Sequence, residues 1–273
     1  MLKMLKKKLI RSPHILEVIL AYGGVHLISI YFLIFHFNQS ILQYFYGLVI
    51  GGFIYTFIEY WFHRYLLHVS ILKKAHDNHH KNPTKLKIIA TPLLPVQIYE
   101  IIIMVTISYF FGCYFANLCQ IGISISQVIM DYVHYFEHSS YNPWFLISAR
   151  SFHKLHHRIS NHDLGFGLTC TFWDYIFGTL PDKNTCKKIN LNINDNEKNK
   201  KAVIWEPFNK YPYLKILQMP LPMISYLLWT PWVKTKKNID SSIKPITFEN
   251  LKIENIIIAL ISAIIVGVSP FFV

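Results

Sequence analysis

Charge is scarce in this sequence. Only 15% of its 273 residues are Asp, Glu, Lys or Arg, against roughly a quarter in an ordinary soluble domain. Hydrophobic residues make up 52%, and the mean hydropathy is +0.30. A conventional soluble core under a charged surface is excluded, and a membrane protein comes first. Acidic residues are the rarer sign, 15 against 27 Lys and Arg, for a net charge of +12. A nucleic-acid reader would carry that excess as one basic face of a soluble fold. Here it crowds into Met1–Arg11, Lys73–Lys87, Lys183–Lys201 and Lys234–Lys244, beside apolar runs. Cysteine is equally sparse. Cys113, Cys119, Cys170 and Cys186 form no C-x-x-C pair, and two of them lie in apolar runs, which argues against a disulfide framework or a thiolate metal site. No internal repeat and no appended soluble domain is evident.

What the chain does have is long apolar runs: Ile15–Phe37, Ile41–Phe62, Ile98–Leu118, Ile121–Phe136 and Ile256–Val273. Each approaches the roughly 20 residues that cross the hydrocarbon of a bilayer. The start, MLKMLKKKLIR, resembles the opening of a signal peptide, but the apolar run behind it is long and lacks a small-residue cleavage site, so it reads as a retained helix. With a cytosolic N-terminus, the second and fourth spans return the chain to the cytosol near His63 and His138. Every basic loop then faces the cytosol, as the positive-inside rule requires. The Asn- and Lys-rich stretch Lys187–Lys201 reads as an exposed loop. Pro220, Pro222 and Pro231 punctuate Leu214–Val233, which reads as an interfacial or re-entrant segment rather than a clean helix. The segment Trp144–Trp173 reads as short helices and loops capping the cytosolic span ends. The expected fold is an all-α integral membrane protein in one domain: about four core transmembrane helices, a cytosolic histidine-rich cap and an extra C-terminal membrane helix.

Ten of fourteen histidines fall into four clusters. His63 and His68 form H-x4-H. His76, His79 and His80 form H-x2-HH, and His153, His156 and His157 repeat it. His134 and His138 form H-x3-H. At this histidine frequency one H-x2-HH is expected about 0.04 times per chain, so two by accident are of order one in a thousand. Residues three or four apart share a helix face, so three of the clusters can converge imidazoles on one point. His63 and His68 are five apart and do not align on a regular helix; either they serve different metals or the helix ends between them. The bland alternative is that histidines collect at a membrane interface as half-buried polar groups, and it is preferred for His14, His26, His36 and His162, which match no cluster.

Imidazole suits iron, copper, zinc and nickel, and ten exceed the needs of one ion. Soluble di-iron bundles use Glu and Glu-x-x-His instead. Glu-x-x-His is absent here, because Glu59 and His63 are four apart. A histidine-only dinuclear site with about five nitrogens per metal is the better reading. Ionisable groups beside spans are functional candidates, so Glu59, Asp131 and Asp163 are candidates to orient the ligand histidines. Their alternative role is to cap helices or pair with Arg64, Arg150 or Arg158. Trp173, Asp174 and Gly178 read as a structural lock of the cap onto the helices, because aromatics commonly anchor packing.

These four motifs, in this order, resemble the fatty acid hydroxylase/sterol desaturase superfamily. The matching stretch runs from about Phe57 to Leu180 and includes EYWFHRYLLH, HDNHHKNP, DYVHYFEH, FHKLHH and GFGLTCTFWDYIFGTLP. The ten-histidine pattern is most similar to the fatty acid 2-hydroxylase branch, although the gap from His68 to His76 is short for it and looks more like sterol-oxidase and bacterial members. The segment 214–273 is not matched. The resemblance implies two iron ions, which zinc can replace in a purified form, and oxygen activation. It also implies the endoplasmic reticulum membrane, with electrons from cytochrome b5 and its reductase. The N-terminal cytochrome b5 domain of many relatives has no room here, so a separate donor protein is expected. The expected reaction is hydroxylation of a lipid acyl chain that enters from the bilayer, at C-2 of a fatty acid or ceramide. The nearest rival is a sterol oxidase or desaturase with the same centre. A rival of another class, a non-catalytic membrane metal-binding or transport protein, would place histidines at mid-span along a pore.

Overall fold

The computed structural model describes residues 15–70, 72–81, 93–138, 147–158, 163–181 and 251–273. The basic stretches 1–11, 183–201 and 234–244, the proline-punctuated segment 214–233, Cys186, His14 and His162 lie outside them. The described residues are helical, with no strand among them. In chain order the helices are α1 (Ile15–Tyr31), α2 (Ile41–Trp61), α3 (Lys73–Lys81), α4 (Leu93–Phe111), α5 (Cys113–His138), α6 (Ile147–Arg158), α7 (Phe172–Ile176) and α8 (Ile253–Gly267). Single π-helical turns extend α1 through Phe32–His36 and α2 through Phe62–Leu67.

Five helical segments are long and apolar enough to cross a membrane: Ile15–His36, Ile41–Leu67, Leu93–Phe111, Cys113–Tyr135 and Ile253–Phe271. This is a multi-pass membrane protein. Large apolar side chains such as Leu27, Phe35, Phe45, Phe110 and Ile253 stand exposed on these segments, as lipid-facing residues do. The third and fourth spans are divided at Gly112, not at the residues before Ile121. The apolar run is continuous across this point and hides the turn, which a backbone φ of +85° marks. Glycine adopts that angle at no steric cost.

The chain forms two compact units. The first holds 1–55, 85–132 and 246–273, and it is knitted by small residues and buried amides. Ser29 donates to Gln120 at 3.0 Å, and His26 Nδ1 donates to the Ile121 carbonyl at 2.9 Å, so α1 and α5 run antiparallel. Gly47 abuts Leu118, Gly51 abuts Cys119, and the Tyr55 hydroxyl meets Gln127 at 3.1 Å, so α2 and α5 run parallel. Gln97 donates to Ser262 and Ser108 to the Pro270 carbonyl, so α4 runs parallel to α8. Gly24 faces Ala263 and Gly267 faces Ile28, so α1 joins that direction. Odd and even spans thus alternate, as successive crossings must. His26 is a structural histidine here, and His36 packs on Phe32 and Phe271.

The second unit holds 56–84 and 133–245. Its described parts are the C-terminal ends of α2 and α5, residues 68–70 and 72, α3, α6, the loop 163–171 and α7. Every clustered histidine belongs to it.

Candidate metal centre

The ten clustered histidines gather into two groups of five. His63, His68, His76, His80 and His156 form the first; His79, His134, His138, His153 and His157 form the second. Within each group the five ligand nitrogens lie within 4.8 Å of one another.

Local geometry explains the sorting. His63 and His68 lie on and just after the π-helical turn Phe62–Leu67. A π turn bonds residues five apart, so H-x4-H aligns there as it would not on an α-helix. The two Nε2 atoms are 3.2 Å apart. On α3 and α6 each H-x2-HH is split. His76 and His80 serve the first group and His79 the second; His153 and His157 serve the second and His156 the first. Adjacent helical residues project about 100° apart, so the middle histidine of each motif diverges from the last.

In the first group the Nε2 atoms of His63, His68 and His76 are mutually 3.1–3.2 Å apart, and His80 is 3.0 Å from His76. The second group shows separations of 2.7–3.2 Å. Three mutually close nitrogens cannot all be satisfied by hydrogen bonds. The Nδ1 of His63 donates to the Phe166 carbonyl at 2.6 Å, and that of His156 to the Leu164 carbonyl at 2.8 Å. A carbonyl only accepts, and a neutral imidazole has one N–H. These two therefore present bare Nε2 lone pairs, and a cation is what such convergence fits.

The spacing also tests the coordination. Right-angled ligands 3.1 Å apart correspond to bonds of about 2.2 Å (3.1 divided by √2), near the roughly 2.0–2.1 Å of imidazole on zinc. Tetrahedral ligands at that bond length would stand about 3.4 Å apart. The ring positions agree with five corners of an octahedron. His68 has all four partners at ring centroids of 4.6–5.2 Å, whereas His76 and His156 are 6.5 Å apart, as opposite corners are. In the second group His138 has its four partners at 4.7–5.0 Å, and His79 and His153 are opposite at 6.2 Å. His68 in the first group and His138 in the second are thus the rings that adjoin all four others of their group. The groups adjoin, with His80 stacked on His157 at 4.1 Å.

Burial favours the neutral form of the most enclosed histidines. It pushes the pKa values of His76, His79, His153 and His156 well below 6.5, and neighbouring imidazoles push the same way.

The acidic candidates act differently from the expectation. Glu59 makes no hydrogen bond to a histidine among the described residues. Its Oε1 accepts from the Leu168 and Thr169 amides at 2.6 and 2.9 Å, and its Oε2 from the Thr169 hydroxyl. Asp131 accepts from Gln127 in the first unit, and Asp163 is exposed. Asp174 does more than lock the cap. Its carboxylate accepts from the Phe166 and Gly167 amides and the Thr179 hydroxyl, each at 2.8 Å. Trp173 does pack structurally, donating to Thr56 and meeting Phe57 edge-on, and Gly178 turns the chain at φ +68°. The carbonyls of Leu164 and Phe166 went unread in the sequence, since a backbone acceptor has no residue signature. The GFG of this loop is the available signal. Gly165 has φ +77°, and a Cβ on Gly167 would lie 1.9 Å from the Cys170 carbonyl oxygen.

Known proteins carry the same region. Residues 48–179 match the family model described as fatty acid hydroxylase, a stretch that holds all ten histidines. The ceramide very long chain fatty acid hydroxylase SCS7 of Saccharomyces cerevisiae is 33% identical over 146 residues, which are 48% of this chain and 36% of that protein. The dihydroceramide fatty acyl 2-hydroxylase FAH1 of Arabidopsis thaliana is 28% identical over 153 residues, 51% of this chain and 62% of that one. A solved structure of full-length scs7p, in which only the hydroxylase domain is visible, superposes with a TM-score of 0.56 at 26% identity. It covers 63% of this chain and 68% of its own. The matches thus span between about a third and two thirds of these relatives.

Proposed function

We propose, from the match of residues 48–179 to the family model described as fatty acid hydroxylase, that this chain is a membrane-bound oxidoreductase with two iron ions that hydroxylates a lipid acyl chain. The observation that carries this is the pair of five-histidine groups, each converging its ligand nitrogens within 4.8 Å. The first group would hold one iron and the second the other. When bound, two irons supply the reduction of dioxygen and the oxidation of an unactivated C–H bond, chemistry that zinc lacks.

The residues of the chain supply the rest. His63 and His156 hold their Nε2 atoms inward by donating from Nδ1 to backbone carbonyls. Ten neutral ligands leave the positive charge of the metals uncompensated, which favours an electron-poor oxidant. Burial of His63, His76, His79, His134, His153 and His156 keeps water from the ligands. In the overall reaction one oxygen atom enters the C–H bond. The other leaves as water, with two protons and two electrons from a donor. A separate cytochrome b5 with its reductase suits that role.

The reading extends to C-2 of a ceramide N-acyl group, with the histidines at the cytosolic face of the endoplasmic reticulum. The names of the yeast and Arabidopsis relatives support this substrate class, and a site at span ends suits oxidation close to a lipid headgroup.

The test is expression in a cell lacking its own sphingolipid hydroxylase, with lipids profiled by mass spectrometry. Ceramides are expected to gain one oxygen on the acyl chain, placed at C-2 by fragmentation, and the His79→Ala variant is expected to abolish the gain. Altered sterols with unchanged ceramides would move the assignment to the sterol branch. Full activity in His79→Ala would sink the site.

A further inference from the structure

The two histidine groups follow one rule. His63, His68, His76, His80 and His156 of the first group occupy the places of His134, His138, His153, His157 and His79 of the second, judged by their positions in the sequence motifs together with which rings are adjacent and which opposite. Hydrogen bonding breaks this equivalence. His63 and His156 donate from Nδ1 to the Phe166 and Leu164 carbonyls. Their counterparts His134 and His79 have buried Nδ1 atoms with no hydrogen-bond partner among the described residues.

The carbonyls belong to a loop that two carboxylates hold by its amides. Asp174 takes the amides of Phe166 and Gly167, and Glu59 takes those of Leu168 and Thr169. Asp174 is itself fixed by the Thr179 hydroxyl, which Tyr60 meets at 3.0 Å, and Arg64 donates to Tyr60 at 2.7 Å. Four consecutive amides pinned by two buried carboxylates leave the Leu164 and Phe166 carbonyls little freedom, and the two imidazoles with them. Partners that orient a ligand histidine are worth about 10–100-fold in metal affinity.

We propose that Glu59 and Asp174 are positioning residues for the first histidine group alone, and that the two metals are therefore bound unequally, the first group holding its ion more tightly than the second. This rests on the reading of both groups as metal sites. Each carboxylate acts through the 164–169 backbone.

The experiment uses the full chain in lipid nanodiscs, loaded anaerobically with ferrous ion and titrated with a chelator, counting retained metal by mass spectrometry. The intact protein is expected to release its two ions in two phases about 10–100-fold apart in chelator. His138→Ala is expected to remove the weak phase and keep the tight one. Asp174→Asn and Glu59→Gln are expected to shift the tight phase about tenfold or more toward the weak one, leaving the weak phase in place. Release of two ions in a single phase overturns the proposal alone. So does loss of the tight phase in His138→Ala, or an equal weakening of both phases in the carboxylate variants, which is the signature of general damage. A chain that retains no metal under any loading overturns the metal-centre reading, and this proposal with it.

Discussion

His63 and His68 stand five residues apart, yet their Nε2 atoms are 3.2 Å from each other, because the chain between them is wound as a π turn. The alignment is a property of that turn and not of the residues alone. Inserting one alanine between Tyr65 and Leu66 makes the spacing six, which no regular helix brings to one face. The expected outcome is a fall in retained metal from two ions per chain to about one, read by elemental analysis of the purified protein. Retention of two ions would show that the turn after His68 can absorb the extra residue.

Much of this grouping of histidines is legible in the sequence. The spacings named all ten histidines, and the apolar runs named five spans. The division of labour was not legible. Spacing says that His76, His79 and His80 share a helix side, but the split at about 100° between neighbours decides the partner only once α3 and α6 face each other. The π turn was hidden because FHRYLLH has no breaker to announce it. Glu59 was singled out as an orienting carboxylate, yet its route through the Leu168 and Thr169 amides depends on a loop more than a hundred residues away. Asp174 reads as packing for another reason: its partners lie only seven and eight residues away, but they are the backbone amides of Gly167 and Phe166, which carry no residue signature.

Close helix contact in the first unit makes a stability prediction. A Cβ on Gly51 would lie 2.1 Å from the Cys119 carbonyl oxygen, and one on Gly122 would lie 2.5 Å from the Gly47 oxygen. Both obstacles are backbone, so a side chain can fit only if the helices separate, and small residues are what permit such approach in membranes. Gly51→Val is expected to cost at least about 1–3 kcal/mol, the usual range for overpacking. Gly23→Val, where no atom lies within 4 Å of the added Cβ, is the matched control. Melting of the two variants in the same detergent checks this, and equal midpoints would refute it.

Metal removal separates stability from chemistry. A ligand that binds only the folded state adds roughly 2.7 kcal/mol when present at 100 times its dissociation constant. Two such ions should raise the melting midpoint of the chelator-stripped protein by several degrees. Zinc has no redox chemistry, so zinc and ferrous ion are both expected to restore the midpoint, while only iron restores acyl hydroxylation. If neither moves the midpoint, the ten histidines do not hold metal in the folded chain.

The exchange of middle histidines between motifs gives the sharpest test of the assembled site. His76 and His79 lie on one helix but in different groups, whereas His79 and His153 lie on different helices in one group. Losses within one site overlap and losses at separate sites add. The double variant His79→Ala with His153→Ala is therefore expected to lose about one ion and keep the other. His76→Ala with His79→Ala is expected to lose both, although it alters a single helix. If each H-x2-HH served a metal of its own, the second pair would spare one ion and the first pair would empty both sites. Metal counting on these two proteins decides between the exchanged arrangement and the one that motif spacing alone suggests.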